Sequence, residues 1–202
     1  MTPMHELRVR ITLIDEMLGM MPSNPDVHEK FILSKAPDAP TRAEEIEALG
    51  VDEVVEMGKT VFPRLEDGTP FIYDYQIKGM LKDSVGMLKR VSGTKCSGIK
   101  AHKKIIDGIV FVDQRKIPIK MAGGIGNCQR PLRASTAQGE RTALANSEAV
   151  PEGSVIEFSF LCMNKSDFGW IKECLDYGKL RGLGQWRNSG KGRFTWEEIK
   201  TK

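Results

Sequence analysis

The residues best suited to chemistry lie near the C-terminus, in "LRGLGQWRNSGKGRF", Leu180 to Phe194. The stretch holds four glycines, four cationic side chains and an indole, and no acid. Glycine lacks the Cβ that bars the left-handed region, so successive N–H groups can turn toward one anion. Gly182, Gly184, Gly190 and Gly192 would supply that freedom, with Ser189 among them. Arg181, Arg187, Lys191 and Arg193 would supply charge, and an arginine can grip phosphate through two donors. Trp186 would stack on a base, worth ~1–3 kcal/mol in proteins that bind single strands. The competing reading is a plain turn between helix and strand with a core-facing Trp186. The Gly-Lys-Ser/Thr ending of a nucleotide-binding P-loop is missing.

Charge is distributed to the same effect. The net charge is only +3, yet residues 1–74 carry 15 acids against 7 Lys and Arg, and residues 75–104 carry 8 Lys and Arg against a single acid, Asp83. Two separate basic stretches in a weakly charged chain point to a localised anion-binding face, against which stands the ordinary reading of scattered solubilising lysines. Lys78 and Lys82 are spaced i, i+4 and stack on one helix face. The run "KCSGIKAHKK", Lys95 to Lys104, reads as a mobile basic loop, with or without a nucleic-acid contact. Arg130, Arg133 and Arg141 lie in a long Gly-, Ala- and Ser-rich segment of no period.

Catalytic sets are missing. Metal-free RNA cleavage needs a general base near the 2′-oxygen and an acid at the leaving oxygen, and Asp26, Asp38, Asp52, Asp67 and His28 fall in no matching context. His5, His28 and His102 are scattered, as are Cys96, Cys128, Cys162 and Cys174, so no metal or other cofactor is expected. Cys162 and Cys174 sit in apolar-patterned segments and read as buried free thiols. The opening "MTPMHELRVR" lacks the apolar stretch of a signal peptide, and no apolar run approaches the ~18 residues of a membrane span. The expected setting is the cytoplasm, and the expected role is binding, not catalysis.

The elements that must position these residues follow from periodicity. "ELRVRITLI" alternates as a half-buried strand, and "GSVIEFSFLCM" does the same. "YDYQIKGMLKDSVGMLKR" places Ile77, Met80, Leu81, Val85 and Leu88 on one helix face. "KIIDGIVFVDQRKIPI" reads as a β segment interrupted at Gly108. "SDFGWIKECLDYG" reads as a helix capped by Ser166 and stopped near Gly178, and "GRFTWEEI" as a closing strand. Two short acidic helices make residues 20–60 a helical insertion, and residues 121–153 form a loop or extended projection. Without insertions the order is β-α-β-β-α-β, an α+β, ferredoxin-like (RRM-like) core with a four-stranded antiparallel sheet and two helices on one face. The chain is expected to be one domain, 1–202, whose open sheet face is a common platform for single-stranded nucleic acid.

Three stretches together resemble one family: "EDGTPFIYDYQIKGMLKDSVGML", "EAVPEGSVIEFSFLC" and "GLGQWRNSGKGRF". In order and spacing they are similar to the RAMP superfamily, the ferredoxin-like proteins of CRISPR effector complexes, nearest to the backbone subunits of type I and type III effectors. The resemblance covers about a third of the chain. It departs at Tyr73-Asp74-Tyr75-Gln76, where the family carries Pro-Gly/Ala-Ser. It implies guide-RNA contact at Lys78, in the family's Lys-Gly position, at Lys82 and along the glycine loop. It also implies a thumb-like projection bearing Arg130 and Arg133 across the RNA. Its implied partners are single-stranded guide RNA and other effector subunits or further copies assembled head to tail. A stand-alone phage or mobile-element mimic, anti-CRISPR-like, fits equally. An endoribonuclease of the same fold and a protein–protein adaptor are the alternatives.

Overall fold

A computed structural model describes residues 4–23, 59–136 and 139–200, with 132–143 described by backbone pairing alone. The strands, in chain order, are β1 (His5–Leu13), β2 (Met17–Leu18), β3 (Met21–Pro22), β4 (Thr60–Val61), β5 (Phe71–Tyr73), β6 (Val110–Val112), β7 (Lys116–Lys120), β8 (Gly126–Thr136), β9 (Gly139–Val150), β10 (Val155–Cys162) and β11 (Phe194–Glu198). The helices are α1 (Asp74–Leu88), α2 (His102–Ile109) and α3 (Phe168–Arg181). They fall into two compact units, residues 18–62 with 125–149 forming the smaller one.

The larger unit is the ferredoxin-like core. Its sheet runs β11-β1-β10-β7-β5, with β6 also on β10, and the pairings are antiparallel. The cause is alternation: Leu7, Val9, Ile11 and Leu13 of β1 and Ile156, Phe158, Phe160 and Cys162 of β10 are buried on one face. Ile77, Leu81 and Val85 of α1 and Ile171, Cys174 and Leu175 of α3 are buried with them. At ~25 cal/mol per Å² of apolar surface, such paired stripes hold the two layers together.

Three local expectations are corrected. Residues 102–109 are helical, because His102 and Ile106 bury one helix face, and the β segment begins only at Val110. It breaks not at Gly108 but at Asp113–Arg115, where Asp113 Oδ1 accepts the Ser159 N–H at 3.1 Å. Ser166 is not a cap: it lies within a 3₁₀ turn, Lys165–Asp167, and Asp167 takes the Trp170 indole N–H at 3.0 Å. Finally, α3 does not stop at Gly178 but continues to Arg181. Gly178 is there for packing, since a Cβ would lie 2.0 Å from Cζ of Phe194 on β11.

In the smaller unit, β2, β9, β4 and β3 form a second sheet with β8 paired to β9. The segment without sequence period is therefore a long hairpin, in register from Gly126 with Ala149 to Thr136 with Gly139. Small residues hide their alternation from a hydrophobicity pattern, but not from ladder hydrogen bonds. Most of the expected helical insertion at 20–60 lies outside the described residues. Its ends meet where Met21 pairs with Val61 and Pro22 with Thr60.

Candidate nucleic-acid interface

The basic segment is ordered, and glycine explains how. Gly182, at φ +76°, ends α3, its N–H donating to the Gly178 carbonyl at 2.9 Å. The chain then folds back on itself: Leu183 N–H donates to Gly192 O at 2.8 Å, and a Cβ on Gly192 (φ +71°) would sit 1.8 Å from Leu183 O. Gly192 N–H donates to Glu16 O, Gly190 N–H to Arg187 O, and Ser189 N–H to Trp186 O. The expected cradle of mobile amides is thus corrected at Gly182, Gly190 and Gly192: those donors are engaged within the fold, and an anion there would meet side chains.

The cations are also engaged, by acids that come from elsewhere in the sequence. Asp83 Oδ2 on α1 accepts Arg181 Nε at 3.0 Å and an Arg187 Nη at 2.8 Å. A second Arg181 nitrogen donates to Asn188 Oδ1 at 2.6 Å. Arg193 Nε donates to Asp15 Oδ2 at 2.7 Å, and Lys191 pairs with Glu16. Burial by itself raises the Asp83 carboxyl, but donation from Arg181 and the charge and hydrogen bond of Arg187 outweigh it and hold its pKa below the ordinary value. Arg181 and Arg193 are raised in turn, chiefly by their hydrogen bonds to Asp83 and Asp15. Three carboxylates therefore face four cations, leaving an excess of one positive charge.

One opening remains. Arg181, Gly184, Gln185, Trp186, Arg187 and Asn188 line a solvent-open depression of about 360 Å³. Trp186 is held at φ +53°, a conformation costly for a bulky residue, and is 38% exposed. The competing reading of a core-facing Trp186 is not met. An exposed indole beside two guanidiniums fixed by one carboxylate can stack on a planar ring while donating to an adjoining phosphate.

The other expected contacts are dispersed. Lys78 lies over the Phe111 ring at 5.0 Å, and Lys82 is paired with Asp107 at 2.6 Å. Arg130 is only 7% exposed and donates to Ser147 Oγ at 3.1 Å, so in the hairpin it braces the two strands instead of presenting a surface charge. Arg133 pairs by backbone with Thr142, its side chain lying outside the description. The sheet face opposite the helices is polar: Arg10 bridges Glu157 at 2.6 Å and Glu197 at 2.7 Å, and Lys120 also pairs with Glu157. Its central strands present charges that neutralise one another and no ring, unlike a base-stacking platform. By contrast, Lys89, Arg90, Lys100, Lys103 and Lys104 are exposed and make no ion pair among the described residues. Among those residues no group of three or more His, Cys, Asp or Glu is placed to hold a metal ion.

Asp83 is the residue that sequence reasoning passed over, since it looked like the odd acid in a basic helix. No family model matches the sequence, and no curated protein matches it either. Among solved structures, a chain from the cryo-EM structure of a type III-B Cmr-beta complex bound to cognate target RNA superposes with a TM-score of 0.53 at 11% identity. The shared feature is the fold. The match covers 98% of this chain and 60% of the Cmr-beta chain. At that identity the Cmr-beta likeness supports the α+β, ferredoxin-like architecture and its antiparallel sheet.

Proposed function

We propose that this chain is an RNA-binding protein of RAMP type, holding single-stranded RNA through its phosphates, without catalysis and in the cytoplasm. The observation that carries the reading is the pair of guanidiniums, Arg181 and Arg187, set side by side on Asp83 at the rim of the depression that Trp186 lines. The ferredoxin-like fold and the three family-like stretches support it, as do the exposed lysines from Lys89 to Lys104. In the finer form of the proposal the RNA is a CRISPR guide. The chain is then a backbone subunit meeting other effector subunits, or a stand-alone mimic that occupies such RNA.

The test is a titration of a fluorescent single-stranded RNA across salt concentrations. Binding should weaken with a slope of about −0.7 in log K against log salt for each neutralised phosphate. Arg187→Gln should flatten that slope by about one such step. An RNA affinity that is absent, or indifferent to salt and to Arg187→Gln, would leave the adaptor reading in its place.

A further inference from the structure

The residues that replace the family's Pro-Gly/Ala-Ser build a ladder of rings. Phe71 meets Tyr73 edge-on, with 5.0 Å between centroids, and Tyr73 lies against Tyr75 at 5.1 Å with 16° between the planes. Phe71 and Tyr73 belong to β5, the edge strand, and Tyr75 to the first turn of α1. The junction is fastened by Gln76 Oε1, which accepts the Tyr73 N–H at 2.8 Å. Beside the ladder stands Arg115, its guanidinium carbon 5.6 Å and 5.4 Å from the two tyrosine centroids, held by Asp74 at 2.5 Å. Lys116 lies 5.5 Å from the Phe71 ring.

Packing accounts for only part of this. Phe71 is buried and serves the core, but Tyr75 is 48% exposed and the Arg115 side chain 67% exposed. A ring pre-stacked on a second ring, with an exposed guanidinium alongside, has what base stacking and an adjoining phosphate contact require. The surface continues along α1: Lys78, Gly79 and Lys82 stand i+3, i+4 and i+7 from Tyr75 on the same face, spanning about 10 Å. A Cβ at Gly79 would meet nothing within 4 Å, so that face is open next to Lys78.

We infer that Tyr75, backed by Tyr73, is a stacking site for one base of a single-stranded RNA, and that Arg115 takes the neighbouring phosphate. This rests on the RNA-binding reading above and deepens it, because it places a base contact on Tyr73 and Tyr75, which stand where the resembled family carries Pro-Gly/Ala-Ser.

The experiment is binding of a single-stranded RNA carrying 2-aminopurine, followed by fluorescence quenching and by affinity against salt. Tyr75→Ala should weaken binding about 5- to 150-fold, the loss of one stacked base, with the salt slope unchanged. Tyr75→Phe should bind as the parent does. Tyr75→Leu keeps apolar bulk but no π face and should bind as weakly as Tyr75→Ala, which separates lost stacking from lost packing. Arg115→Gln should flatten the slope by about 0.7. If the parent binds RNA with a salt slope and Tyr75→Leu binds equally well, the stacking site is overturned while the general reading stands. If the parent binds no RNA, both fall.

Discussion

Arg187 donates to Asp83 at 2.8 Å across 104 residues of sequence, fastening the basic segment to the first helix. The same oxygen receives Arg181, so a single carboxylate restrains two groups that an anion would otherwise attract. Asp83→Asn should cost about 1 kcal/mol of stability, since the pairs are partly solvated. It should also raise RNA affinity, because the two guanidiniums that already meet phosphate lose a competing negative charge, with the salt slope little changed. Unchanged affinity with reduced stability would make the pairs purely structural.

The pH dependence of that stabilisation has a definite sign. The Asp83 pKa is lower folded than its ordinary 3.8, so the contribution is complete above that value and lost as pH falls through the folded pKa. Urea midpoints of Asp83→Asn and the parent should differ at pH 7 and converge below about pH 4.

Gly178→Ala tests the close approach of α3 to β11. Alanine is the better helix former by ~1 kcal/mol, but its Cβ would lie 2.0 Å from the Phe194 ring. Overpacking at the upper end of about 1–3 kcal/mol should win, giving a net loss in chemical denaturation. A more stable variant would contradict the packing.

Gly190 and Gly192 separate backbone need from ligand need. Both have positive φ, but only a Cβ at Gly192 would strike a backbone carbonyl, that of Leu183 at 1.8 Å. Gly192→Ala should lower the Tm steeply, while Gly190→Ala should cost about 1 kcal/mol of strain. RNA affinity should be indifferent to Gly190→Ala, because that N–H is already held by Arg187 O.

Thiol reactivity offers a fifth check. Cys96, Cys162 and Cys174 are buried and Cys128 half-buried. Burial pushes the Cys162 thiol up to about 12, and contact with Cys96 Sγ at 3.8 Å, then burial, pushes Cys174 up as well. A thiol reagent at pH 8 should label Cys128 alone in the native protein and all four cysteines in denaturant.

Much of the architecture was legible locally. The alternation in β1 and β10 and the apolar face of α1 are periodic properties of short windows, and they assemble into the expected ferredoxin-like sheet. The second helix and the long hairpin were not legible. β-branched residues near Ile105 and Ile106 mimic a strand, and small residues in 126–150 carry too weak a pattern. The ring ladder was visible only as a departure from a family's usual residues; its stacking needed the junction of β5 with α1.

By itself the sequence determined the strands β1, β10 and β11, the helices α1 and α3, and a glycine-rich C-terminal stretch that carries cations without acids. Only the tertiary structure decided what those cations meet. Asp15, Glu16 and Asp83 lie 98 to 178 residues from the groups they bind. Periodicity reports on neighbours within a few turns, whereas charge pairing is settled by distance in space, which exists only once the sheet has closed.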